Sequence, residues 1–111
     1  MLLFSSFLYS NQNCNLLKPS EYAASVSSND GLIIDVRSFR EYRLGHLSKS
    51  VNVNFFRKIH FENYFNKLNK KQHIYLYSNS GDRSMHAAKQ LAKMGFNYIY
   101  DLKGGYSNWA L

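Results

Sequence analysis

The chain has 111 residues, 45% hydrophobic and 16% aromatic, which suits one folded domain and excludes a wholly disordered chain. Fourteen Lys and Arg against seven Asp and Glu give a formal net charge of +7, a field that concentrates anions without selecting among oxyanions, acidic proteins and nucleic acid. The one cysteine, Cys14, excludes an intrachain disulfide, and no run approaches the roughly 18 apolar residues that would span a membrane.

Met1 to Tyr9 resembles the apolar part of a signal peptide, but no Lys or Arg precedes it. Residues 1–14 therefore read as an N-terminal extension or a partial signal segment, and residues 15–111 as the domain. A free thiol favours a reducing compartment, so the expected location is cytoplasmic. An exported or periplasmic protein is the alternative if Met1 to Tyr9 is the remnant of a signal peptide.

Lys18-Pro19-Ser20-Glu21 opens a helix, since proline suits the first turn and glutamate its positive end. Tyr22, Ala23 and Val26 give it an apolar face, and Asn29-Asp30-Gly31 ends it. Leu32-Ile33-Ile34 is a short, continuous apolar run, as expected of a strand covered on both faces. Asp35-Val36-Arg37 follows, then a short helix from Ser38 to Leu44 that stops at Gly45. Val51 to Asn54 reads as a second strand. Phe56 to Leu68 carries Phe56, Ile59, Tyr64, Phe65 and Leu68 at roughly helical spacing. Ile74 to Tyr77 is a third strand, and a helix from Ser84 to Met94 shows Ala87, Ala88, Leu91 and Ala92 on one side, with Gly95 at its end. Tyr98-Ile99-Tyr100 is a fourth strand, and Gly104-Gly105 turns the chain into a last short helix with Trp109. This alternation predicts a single α/β domain with a mainly parallel sheet and helices on both faces.

Ligands of such sheets sit beyond the carboxyl ends of the strands, where two loops carry polar chemistry: Asp35 to Arg37 and Ser78 to Arg83. In Ser78-Asn79-Ser80-Gly81-Asp82-Arg83-Ser84 a polar turn leads from a strand into a helix. Unpaired N–H groups and the helix dipole make such a turn a cradle for an anion, and Arg83 offers a planar two-pronged donor for an oxyanion. An ordinary strand-to-helix connection capped by Asp82 or Ser84 explains the same residues.

The loop resembles the Cys-x-x-Gly-x-Arg active-site loop of rhodanese-like domains, with Ser78 in place of the cysteine. Ile34-Asp35-Val36-Arg37, Glu41-Tyr42, Gly45-His46-Leu47 and Val51-Asn52-Val53 resemble the family's upstream pattern. Gly95-Phe96, Tyr98, Leu102-Lys103-Gly104-Gly105 and Trp109 resemble its C-terminal signature. These matches keep their order from about Leu16 to Trp109.

The resemblance implies sulfurtransferase chemistry, in which a cysteine takes a sulfane sulfur from a donor such as thiosulfate and passes it on from a persulfide. The loop N–H groups would stabilise the persulfide and lower the thiol pKa. Serine cannot carry sulfur, and as a nucleophile it would need an adjacent general base. The expected function is thus a domain without sulfurtransferase activity whose loop still binds anions, for binding or regulation. Its partner would be a small sulfur-containing oxyanion or a persulfide-bearing protein. The alternative is an active thiosulfate-type sulfurtransferase whose catalytic cysteine has been changed to serine. Cys14 as the sulfur carrier is disfavoured because it lies outside any cradle.

Asp35, Arg37 and His46 are expected in supporting, structural roles, and His86 as a structural or surface residue. No cofactor is expected, and no paired Cys/His spacing suggests a metal. Phosphatase or arsenate-reductase chemistry resembles the family's longer-loop class, whereas four residues, Asn79 to Asp82, separate Ser78 from Arg83 here. Lys67, Lys70 and Lys71 cluster without forming a helix-length stripe, so nucleic-acid binding is not expected. Oligomeric state has no signature in the sequence.

Overall fold

The computed structural model describes residues 14–109, and the Met1 to Tyr9 segment lies outside them. Five parallel strands form one sheet in the order β1-β5-β4-β2-β3: β1 Cys14–Leu17, β2 Leu32–Asp35, β3 Val51–Asn52, β4 His73–Tyr77 and β5 Tyr98–Leu102. The five helices are α1 Pro19–Asn29, α2 Phe39–Leu44, α3 Lys58–Asn66, α4 Asp82–Lys93 and α5 Gly105–Trp109. The expected α/β class is what the chain adopts.

The sheet separates two apolar clusters. On one face Ile34, Leu76 and Ile99 meet Phe61 and Phe65 of α3 and Ala87, Ala88 and Leu91 of α4. On the other Tyr75, Tyr77 and Leu102 meet Tyr22 of α1, with Tyr106 and Trp109 of α5 packed against them. The alternation of side chains along β4 and β5 puts each set on its own face. Burial of Ile74 to Tyr77 in the central strand β4 explains why that stretch reads as a continuous apolar run.

Three expectations change. β1 was not read from the sequence, and it takes Cys14 into the sheet, paired with Ile99. It lies on an edge with Cys14 buried but Asn15 and Leu16 exposed, so it shows no continuous apolar run. The second strand ends at Asn52, not Asn54. Asn54 Oδ1 accepts from Phe56 N at 2.9 Å and its carbonyl from Arg57 N at 3.1 Å, which bends the chain. α3 accordingly begins at Lys58, with Phe61 and Phe65 on its buried face, while Phe56 and Ile59 face solvent.

The turns behave as their residues suggest. Asp30 closes α1 in the left-handed region, and Gly31 N donates to Val26 O at 3.1 Å. A side chain at Gly31 would run into the Tyr75 ring. Gly95, at φ +97°, lets Phe96 N donate back to Leu91 O at 3.1 Å and end α4.

Candidate functional site

β2 and β4 pair side by side, with Asp35 opposite Tyr77, so the two polar loops emerge together at the carboxyl edge. Asp35 is fully buried beneath them. Its Oδ1 accepts from Arg37 N (2.9 Å) and Nε (3.0 Å); its Oδ2 accepts from Arg37 Nη2 (2.7 Å) and Tyr77 Oη (2.7 Å). Arg37 Nη2 also donates to Gly45 O at 2.7 Å, and its guanidinium lies 4.6 Å from the centre of the Tyr106 ring. Burial pulls the Arg37 pKa down, but the Asp35 carboxylate outweighs it and holds the guanidinium above its ordinary value. Such a buried pair persists because its hydrogen bonds are nearly all made.

Tyr77 extends this network. Its hydroxyl donates to Asp35, accepts from Leu47 N at 3.0 Å and lies 3.2 Å from Ser50 Oγ. Burial, reinforced by Asp35, holds its pKa well above the usual phenol value despite the opposing Ser50 and Leu47 bonds. The residue before the loop is therefore fixed at both ends of its side chain.

Ser78 is 1% exposed. Its Oγ accepts from Ser84 N at 3.1 Å and donates to Ser84 Oγ at 3.1 Å, while Ser84 Oγ donates to Gly81 O at 3.2 Å. Gly81 occupies the N-cap position of α4 and brings no side chain, so Ser78 satisfies one of the helix's unpaired donors from six residues back. Neither Asp82 nor the Ser84 side chain supplies that cap. The N–H groups of residues 79–83 have no acceptor among the described residues. The carbonyls on the other side of the turn are occupied: Ser78 O by Tyr106 N (2.9 Å), and Asn79 O by Ser107 N (3.1 Å) and Ser107 Oγ (3.0 Å). Gly105 makes this approach possible, because a Cβ there would sit 2.5 Å from both carbonyl oxygens.

Arg83 departs from its expected role. Its Nη1 and Nη2 bind Glu41 Oε1 and Oε2 at 2.7 and 2.9 Å, so the two-pronged donor grips a carboxylate of the protein itself. Glu41 Oε1 also accepts from Ser38 N at 3.1 Å, while Ser38 Oγ accepts from Glu41 N at 3.2 Å, a capping box at the start of α2. The Arg83 hydrogen bond, helped by Ser38 and opposed by burial, holds the Glu41 pKa down at about 2.

His46 is exposed, with Nδ1 2.8 Å from Tyr42 O and its ring stacked on Tyr42 at 3.7 Å. Neither it nor His86 is bonded to Ser78. Asn79 and Ser80 are exposed at the mouth of the loop. Among the described residues no three His, Cys, Asp or Glu side chains gather as a metal site, and no helix is long and apolar enough to cross a membrane. Glu41, Tyr77 and Gly105 were not singled out as site residues from sequence. The Ser38–Glu41 spacing was the one local signal available for any of them.

Known proteins share the family and the fold. The model of the rhodanese-like domain matches residues 18–111. A tRNA uridine(34) hydroxylase of Pelagibacter ubique is 33% identical over 99 residues, covering 89% of this chain and 33% of that protein. The putative sulfur carrier protein YrkF of Bacillus subtilis is 32% identical over 89 residues, covering 79% of this chain and 46% of its own. This chain thus spans about a third of the length of the hydroxylase it matches. In fold it resembles a rhodanese-related protein of Thermoplasma volcanium (TM-score 0.74, 21% identity, 86% of this chain and 90% of that one). The human single-domain sulfurtransferase TSTD1 superposes similarly (TM-score 0.72, 17% identity, 86% and 94%). The chain belongs to the rhodanese-like family.

Proposed function

We propose that this is a rhodanese-like domain whose loop binds an anion without transferring sulfur. Ser78 is taken to stand at the position of the family's nucleophile, and the observation that carries the reading is what its hydroxyl does. It is buried and spent on Ser84 N and Ser84 Oγ, with no general base against it. An unactivated hydroxyl is a poor nucleophile, and oxygen offers no counterpart of a persulfide.

The cradle around it supports binding. The N–H groups of residues 79–83 lie at the positive end of the 12-residue helix α4, without acceptors among the described residues. Arg83 serves as a brace on Glu41 that fixes the loop, so its net positive charge contributes little to the cradle. The ligand proposed is a small sulfur oxyanion such as thiosulfate, or the persulfide of a partner protein. The likeness to a protein named as a putative sulfur carrier supports that class.

Amide-resolved NMR titration tests the binding. Thiosulfate is expected to shift the signals of residues 79–84 saturably and to outcompete inorganic phosphate. No shift in those residues, or tighter phosphate binding, overturns the reading. An active sulfurtransferase altered at residue 78 is the second reading, favoured by the intact approach of Gly105 to the loop carbonyls.

A further inference from the structure

Two exposed segments beside the Ser78 loop carry apolar side chains that the core does not use. α2 has no buried residue, leaving Phe39 63% and Leu44 84% exposed; the entry to α3 leaves Phe56 66% and Ile59 76% exposed. Arg83 joins the two segments. Its guanidinium binds Glu41 of α2, and its carbon lies 6.0 Å from the centre of the Phe56 ring. Residues 56–60 border an open depression of about 410 Å³.

Cations stand between these apolar groups. Arg40, Arg43, Arg57 and Lys58 are all exposed, and the two stretches 38–44 and 55–60 contain one acid, Glu41, which is bound to Arg83. We propose that this rim is a docking surface for a protein segment that combines acidic with bulky apolar residues. The inference is independent of whether the loop transfers sulfur.

Charge complementarity selects that partner. A second copy of the chain would set four cations against four and one net charge of +7 against another. Single-stranded nucleic acid uses cations with aromatic faces and gains little from Leu44 and Ile59, the most exposed apolar pair here. A membrane-surface helix needs a long apolar face, whereas α2 has six residues. Exposed aromatic and aliphatic anchors among arginines match the composition of protein interfaces.

The test is selection of a random dodecapeptide phage library on the immobilised protein, counter-selected on the fourfold variant Phe39→Ser/Leu44→Ser/Phe56→Ser/Ile59→Ser. The most enriched peptide is then synthesised and titrated by amide-resolved NMR. Enriched sequences are expected to carry at least two Asp or Glu beside Leu, Ile, Phe or Trp. Their signals should move residues 39–44 and 56–60, and affinity should fall at least tenfold in the charge reversal Arg40→Glu/Arg43→Glu. That second variant keeps the test independent of the first one's folding. Enrichment of neutral or basic peptides, no enrichment, or shifts confined to other residues overturns the proposal. So does tighter binding of a 12-nucleotide RNA or of phosphatidylglycerol vesicles, or a dimer that buries these residues.

Discussion

Ser78 Oγ lies 3.1 Å from Ser84 N, so the first side chain after the strand also caps the helix that follows the loop. The loop is therefore closed upon itself at the point where a nucleophile would have to act. Removing the oxygen leaves Ser84 N–H buried without its partner. Ser78→Ala should cost about 1–2 kcal/mol in chemical denaturation, in line with a lost helix cap. Ser78→Cys, which keeps a weaker acceptor, should cost less. Equal stability of Ser78→Ala and the unmodified protein would show that the cap contributes nothing.

The Glu41–Arg83 pair should leave an acid signature. The carboxyl is held at about 2 in the fold and returns to about 4.3 when unfolded. Because the folded value is the lower one, the stabilisation is fully present above about pH 4.3 and is lost as pH falls towards 2. The Glu41 side chain is 36% exposed, so solvent screening limits the effect to about 1 kcal/mol or less. Urea denaturation of Glu41→Gln against the unmodified protein should show a gap above pH 5 that narrows towards pH 2.

At the alkaline end the tyrosines reverse that sign. Burial, with Tyr75 beside it, pushes Tyr100 up to about 12, and burial raises Tyr22, Tyr64 and Tyr77 as well. A folded value above the unfolded one of about 10 stabilises the protein below that pH, and the contribution is lost as pH rises through the folded value, which for Tyr100 is about 12. Absorbance at 295 nm should show these four phenols ionising late and together with unfolding. Independent early titration of all nine tyrosines would contradict the packing.

The network under the loop is expected to be the most sensitive part of the site. Asp35→Ala strands the buried Arg37 and the Tyr77 hydroxyl, and should cost about 3–5 kcal/mol. Tyr77→Phe removes the acceptor of Leu47 N and the donor to Asp35, and should cost about 1–3 kcal/mol. Thermal or urea denaturation measures both.

Two glycines separate crowding from backbone preference. Gly105→Ala would place a methyl 2.5 Å from Ser78 O and Asn79 O at φ +65°, forcing α5 off the loop. Gly81→Ala meets nothing within 4 Å and bears only the strain of φ +113°. Gly105→Ala should lower the denaturation midpoint more and alter the amide signals of residues 78–80, whereas Gly81→Ala should be the milder change.

Local chemistry is what the sequence made legible. The apolar runs of β2 and β4, the Pro19 start of α1, the Gly95 stop of α4 and the polar turn at Ser78 all depend on neighbours in the chain. Three features depend on partners far away. Glu41 meets Arg83, and Asp35 meets Tyr77, across 42 residues in each case, so no spacing rule couples them. β1 becomes a strand through its pairing with β5 at the far end of the domain. Phe56 and Ile59 fit a helical period, yet the period is silent on which side faces the sheet. Phe65 is buried on that period, whereas Phe56 and Ile59 are exposed.

The central claim is that the loop keeps its cradle and lacks its sulfur carrier. Thiosulfate:cyanide sulfurtransferase activity, measured on the purified protein beside Ser78→Cys, tests it most directly. The account predicts no activity above background in the unmodified protein and clear thiocyanate formation in Ser78→Cys. Turnover by the unmodified protein, or a folded Ser78→Cys that stays inactive, would contradict it.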